Sequence, residues 1–204
     1  MATDAAGRLF RSWERHRTAP GPDTLFETLT AMHSLNDRLQ KTVGSDFHGI
    51  QEFVALKALR NFVHHQEEVR DNVRVIPAPA LSDLLVLCLV RDDQVERAIE
   101  SADKRWRVDT RNACEATFHW YGKAVNINPC VFNFAVPAYE TLRQLDVRLP
   151  ADAVADFEAR YRCEETRGLS HTVDGRLTAH AADLNAILSN VVADLPRAQP
   201  RPRS

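Results

Sequence analysis

Apolar side chains recur at helical spacing through most of this 204-residue chain, and proline or glycine interrupts them at short intervals. A period near 3.6 buries one face of a helix and cannot be buried as a strand, so the pattern restricts the chain to short helices packed on one another. Leu25, Leu29, Met32, Leu35 and Leu39 are the clearest case, opened by Thr24 and Glu27 at capping-box spacing and stopped at Gly44. Ala19-Pro20-Gly21-Pro22 separates this segment from a first helix over residues 5–18, where Leu9, Phe10 and Trp13 share a face.

Ser45 or Asp46 can cap a third helix carrying Phe47, Ile50, Phe53, Val54, Leu56, Leu59, Phe62 and Val63. So wide an apolar surface suits a helix sandwiched between neighbours or one that also meets a second subunit. Ile76-Pro77-Ala78-Pro79 is a break. The run 81–90 reads either as a buried strand or as a short buried helix. Possible caps at Ser82 and Asp83, with only Val86 and Val90 β-branched, favour helix.

Further helices are expected over residues 92–105, 110–125 and 131–145, the last started or kinked by Pro137. Residues 126–129 read as a turn. Helices over 151–166 and 177–195 complete the set, with Leu184, Ile187, Leu188, Val191 and Val192 on one face of the latter. The Pro- and Arg-rich residues 196–204 read as a disordered tail. With no internal repeat and no glycine-rich linker, the expectation is one all-α helical bundle over residues 1–195, of about seven or eight helices. The Pro77 break marks the boundary if there are two domains.

Composition excludes several classes. At 44% hydrophobic and 26% charged residues the chain is ordinary for a globular protein, and a net charge of −2 argues against a generally basic nucleic-acid binder. A local basic site stays open, since 22 of the 26 basic residues are arginine. Cys88, Cys114, Cys130 and Cys163 are scattered with no Cys-x-x-Cys pair, the spacing of reduced, buried thiols. Asp4, Arg8 and Arg11 interrupt any apolar signal region, and the longest apolar run is too short for a bilayer, so a cytoplasmic protein with no membrane partner is expected.

Chemistry concentrates in Arg60-Asn61-Phe62-Val63-His64-His65. A guanidinium holds phosphate by paired hydrogen bonds, and imidazole moves a proton near neutral pH; together they suffice to cut a phosphodiester without a metal. Arg60 and His64, four apart, share a helix face, whereas His65 lies about 140° round from Arg60. A structural role is equally concrete: Arg60 paired with Glu67 or another carboxylate, and the histidines at the negative end of the helix dipole.

Arg60, Asn61, the aromatic Phe62 and His65, four residues intervening between Arg and His, resemble the motif of the HEPN superfamily, small helical domains many of which are metal-independent ribonucleases. The resemblance covers residues 25–90 best, with an HEPN-like core over roughly 23–125 and additional C-terminal helices. It implies a homodimer in which two Arg–His sets face a shared cleft. Arg60 would grip the scissile phosphate, and His65, with His64 as alternate, would act as general base or acid on the ribose 2′-OH and the leaving 5′-oxygen. Asn61 would orient the histidine or donate to phosphate. It further implies RNA as substrate, a toxin or phage-defence role, and a cognate antitoxin or partner protein. The rival expectation is a non-enzymatic interaction protein: an inactive relative, an antitoxin or an inhibitor. A helical ligand-binding or sensor domain is a third.

Other signals are weaker. Arg11 and His16 have a similar spacing without the Asn, and Arg111-Asn112 lies too far from His119. His64, His65, Glu67 and Glu68 supply metal-ligand types, but His65-x-x-Glu68 reverses the Glu-x-x-His order of di-iron bundles and has no second copy, so no metal is expected. Cys114, His119 and Tyr121 are poorly spaced for a nucleophile and base on one helix. Phe118, Trp120, Tyr121 and Lys123 could meet RNA, as could the Arg-rich first helix and tail, but aromatics at this spacing more often pack a core. No glycine-rich phosphate loop, nucleophile elbow or zinc spacing is present, and no cofactor is expected.

Overall fold

The proline-glycine break folds the first two helices into a hairpin. In the computed structural model, which describes residues 2–65, 74–77, 86–175 and 184–193, α1 spans Ala2–Thr18 and α2 spans Pro22–Val43. Pro22 sits in the first turn of α2, where its missing N–H costs nothing, and Thr24 Oγ1 accepts the Gly21 N–H at 3.0 Å. The pairing of Thr24 is therefore with Gly21 and not with Glu27, whose carboxylate binds Arg15 instead. Gly44 ends α2 at φ 67°, the left-handed value that a Cβ opposes.

Asn36 Oδ1 accepts the Phe47 N–H at 2.9 Å and turns the chain back, seating Phe47 edge-on to Phe53 and Phe134. Helix α3 (Gln51–His65) begins later than a Ser45 or Asp46 cap would require, because Asp46 Oδ1 is spent on the His48 N–H in a tight turn. Phe53, Leu56, Leu59 and Phe62 are buried, and α2, α4, α5 and α6 all pack on α3, so it is sandwiched within one chain.

The expected helix over 81–90 is replaced, where the structure describes it, by a strand, β2 (Val86–Arg91). It pairs antiparallel with β1 (Arg74–Pro77) and with β4 (Ala124–Asn126), which in turn pairs with β3 (His119–Tyr121), in the order β1-β2-β4-β3. All six β2 residues are buried because both faces of the sheet are covered. Cys88 and Val90 face the main bundle, while Leu87 and Leu89 meet Leu188 and Val192 of α8 (Leu184–Ala193).

Helix α4 (Asp92–Ser101) follows β2 directly, and α5 (Arg107–Thr117) stops eight residues short of the expected 125. The β-prone His119-Trp120-Tyr121 and the two-residue Gly122-Lys123 turn convert the remainder into the β3–β4 hairpin. Helix α6 (Asn128–Gln144) carries Pro129 in its first turn and runs through Pro137, which neither starts nor ends it. Helix α7 (Ala151–Arg167) closes the bundle through Phe157, whose ring lies 5.1 Å from Phe10, 5.5 Å from Trp13 and 5.1 Å from Tyr139. The described residues thus form eight helices and a small antiparallel sheet, a mostly helical bundle. No described helix is long and apolar enough to cross a membrane. Ala78 and Pro79 of the break, Ser82, Asp83 and the tail lie outside the described residues.

Candidate functional site

Helix α3 is regular through His65, so positions 57, 60, 61 and 64 form one stripe and position 65 leaves it. The side chains of His64 and His65 fall outside what the structure describes, as do Glu67 and Glu68. Arg60 is half-buried, and its Nη1 donates to Asn61 Oδ1 at 3.2 Å. Among the described residues no carboxylate pairs with it. The other two arginines of similar pattern are committed: Arg11 binds Asp152 at 3.3 Å, and Arg111 binds Glu96 in bidentate fashion at 3.0 and 2.8 Å.

Asn61 and Lys57 border a groove of about 720 Å³ between α3, the end of α4 and the start of α5. Its floor is apolar, from Val54, Ala58, Ala98 and Ala102. At one end stands a carboxylate–imidazole–ammonium chain. Asp46 Oδ2 lies 3.0 Å from His48 Nδ1, and Lys57 Nζ lies 2.8 Å from His48 Nε2. An ammonium has only protons to offer, so Nε2 accepts and the ring proton sits on Nδ1, facing Asp46. The hydrogen bond from His48 is the main reason the Asp46 carboxyl is held down at about 2.

The opposite end is built on Asp103. Its Oδ1 accepts the Arg105 N–H at 3.0 Å and its carbonyl accepts the Trp106 N–H at 2.8 Å. Arg107 Nη2 meanwhile donates to the last carbonyls of α4, Glu100 O at 2.7 Å and Ala102 O at 3.3 Å. This pinned turn leaves Trp106 56% exposed on the groove, with Arg105 against its ring at 5.6 Å.

His33 adds a second imidazole from α2. It lies 3.4 Å from Asp37, and burial lowers its pKa, opposed by Asp37 and reinforced by the charges of Arg60, Lys57 and His48. The arrangement can therefore hold an anion beside Arg60 and Lys57, with His33 and His48 at hand for proton transfer or orientation. His33, His48, Lys57 and Trp106 carry no sequence signal, since four separate segments bring them together.

The weaker sequence candidates have structural jobs. His16 is wholly buried: its Nε2 lies 3.3 Å from Asn128 Oδ1 and its Nδ1 3.0 Å from Thr24 Oγ1. Asn128 Nδ2 donates to Val86 O at 2.8 Å, which fixes Oδ1 as the acceptor and puts the His16 proton on Nε2. Cys88 Sγ donates to the same Oδ1 at 3.4 Å, and burial drives that thiol far up. Cys114 is buried and pushed up to about 12, and its helix ends before His119 and Tyr121, so the three form no nucleophile–base pair. Phe118 is core, and Trp120 Nε1 reaches Cys114 O at 3.5 Å. Cys163 is exposed, unlike the other three cysteines, all four being free thiols.

Comparison with protein-family models, curated proteins and solved structures finds no match for this chain.

Proposed function

We propose that the chain is a metal-independent endoribonuclease of the HEPN type, cutting RNA by attack of the ribose 2′-OH. One observation carries this reading: among the described residues Arg60 is the motif arginine left to an amide partner, Asn61, which itself lines an open groove, while Arg11 and Arg111 are taken by carboxylates. A half-buried guanidinium with no carboxylate partner among the described residues is suited to receive an anion, and a scissile phosphate is an anion that an imidazole can act on.

In this reading Arg60 stabilises charge developing on the phosphate, and Asn61 holds the guanidinium in place. His65 or His64 removes the 2′-OH proton and protonates the leaving 5′-oxygen, giving a 2′,3′-cyclic phosphate and a 5′-hydroxyl. DNA, lacking the attacking hydroxyl, is spared. Two copies would share one cleft, and in a cell such an activity would arrest growth, the behaviour of a toxin or defence effector held by an antitoxin.

The test is cleavage of end-labelled RNA by the full chain in the presence of a chelator. Arg60→Ala is expected to lower kcat/KM by about 10²–10³-fold. Loss of the acting histidine is expected to cost about 10²–10⁴-fold, and comparing His64→Ala with His65→Ala identifies it. Circular dichroism should show the fold unchanged, and light scattering should report a dimer. Absence of cyclic-phosphate ends, or cleavage unaffected by Arg60→Ala, removes the proposal.

A second reading, a non-enzymatic interaction protein, is favoured by the exposure of Trp106 (56%) and Val108 (69%) beside the groove. It predicts that a partner is retained after Arg60→Ala.

A further inference from the structure

We propose that the groove between α3, α4 and α5 is a nucleobase subsite that prefers guanine. This rests on the ribonuclease reading and names what part of the RNA the site would recognise. At about 720 Å³ the groove is far larger than a phosphate or a metal ion needs, and it falls in the size range of small-molecule sites.

Its lining selects against phosphate and for a flat ring. Asp46, Asp103 and Asp109 all border it against the cations Lys57 and Arg105, so a bare phosphate at the centre would face more carboxylates than cations. An uncharged base meets no such penalty. Ala58, Ala98 and Ala102 give a shallow apolar floor, and Trp106 stands exposed above it as a face for stacking.

The carboxylates are not equivalent. Asp46 is engaged by His48 and Gln40, and Asp103 by Arg105. Asp109, in the first turn of α5, has no partner among the described residues and can only accept. Guanine presents two parallel donors, N1–H and the N2 amino group, that match both oxygens of one carboxylate. Adenine and cytosine each set an acceptor beside their single amino donor, and uracil flanks its one N–H with two carbonyls. Lys57 and Asn61 line the groove from α3, and Asn61 accepts from Arg60, so a phosphate grip by Arg60 would adjoin the base site through Asn61.

The experiment is a tryptophan-emission titration of the full-length Arg60→Ala chain with guanosine, adenosine and uridine 5′-monophosphates and with inorganic phosphate. Trp13 is buried and Trp120 half-buried, so a base in the groove quenches Trp106. Guanosine monophosphate should quench saturably, at least about tenfold more tightly than the other two nucleotides, and phosphate should leave emission unchanged. Trp106→Phe should abolish the quench. Asp109→Asn should weaken guanosine monophosphate about tenfold or more while leaving adenosine monophosphate as it was. Both positions are exposed, and circular dichroism should confirm their folds. No quench, equal response to all three bases, a response to phosphate, or a quench surviving Trp106→Phe overturns the proposal. A guanine-selective quench in a protein that cuts no RNA keeps the subsite and removes the ribonuclease reading. RNA cleavage with KM and sequence preference unmoved by both variants does the reverse.

Discussion

Outside the groove, the most consequential single side chain is His16. It joins Thr24 of α2 to Asn128 of α6, and Asn128 in turn holds Val86 O and the Cys88 thiol of β2. Burial lowers the His16 pKa from its ordinary 6.5, an effect the Asn128 hydrogen bond only partly offsets. The unfolded chain therefore takes up a proton on this ring before the folded one does. Its contribution to stability is complete above about pH 6.5 and is lost as pH falls through the depressed folded value. Asp46 acts in a separate, more acidic window, its contribution present above 3.8 and lost as pH falls to about 2. Urea unfolding over a pH series should show stability declining below about pH 6.5. His16→Gln, which cannot take up the proton, should shrink that limb to the part that His33 contributes and cost about 1–3 kcal/mol at neutral pH. A limb unchanged by His16→Gln would assign the decline to another group.

Among helices and strands, the fold turns on whether an apolar segment has one neighbour or two. Helices α1 and α2 are legible in the sequence because each buries a single stripe, and Pro20, Gly21, Pro22 and Gly44 mark their ends without help from tertiary structure. Strand β2 is not legible as a strand. Its alternation, Leu87 and Leu89 against Cys88 and Val90, is hidden because α8 and the bundle bury both faces, leaving no polar residue to mark period two. The β3–β4 hairpin hides for the opposite reason: three residues a strand are too few for any period, and its one signal is Gly122. That glycine holds φ 59° at the first position of a two-residue turn, and a Cβ there would lie 3.1 Å from Ser189 Oγ of α8. Gly122→Ala should thus cost about 1–3 kcal/mol, through backbone strain and through pressure on α8, read as a lowered urea midpoint. The candidate site divides the same way. Arg60 and Asn61 are contiguous on α3 and legible as a motif, whereas His33, His48, Trp106 and Asp109 meet them only because α2, the Asp46 turn and α5 fold against α3.

For the molecule as one body, the question is why a groove built from residues 46–110 needs the chain that follows. Every described residue lining it belongs to α3, α4, α5 or the turns beside them. The later elements close the interior: α6 and α7 bring Phe134, Tyr139 and Phe157 onto α1 and α3, and α8 roofs the far face of the sheet. Arg91 fastens that roof, its buried guanidinium donating to Val192 O at 3.3 Å while Nε binds Asp93 at 2.8 Å. The chain after residue 110 therefore adds core and none of the lining of this groove. The double variant Leu188→Ala, Val192→Ala uncovers Leu87, Leu89 and Ala124 without touching α3 and should lose about 3–6 kcal/mol. On the ribonuclease and guanine-subsite proposals it should still cut RNA below its lowered melting temperature and quench with guanosine monophosphate at wild-type affinity. If affinity falls in step with stability instead, the sheet face and the groove are mechanically coupled, and α8 belongs to the functional apparatus rather than to its support.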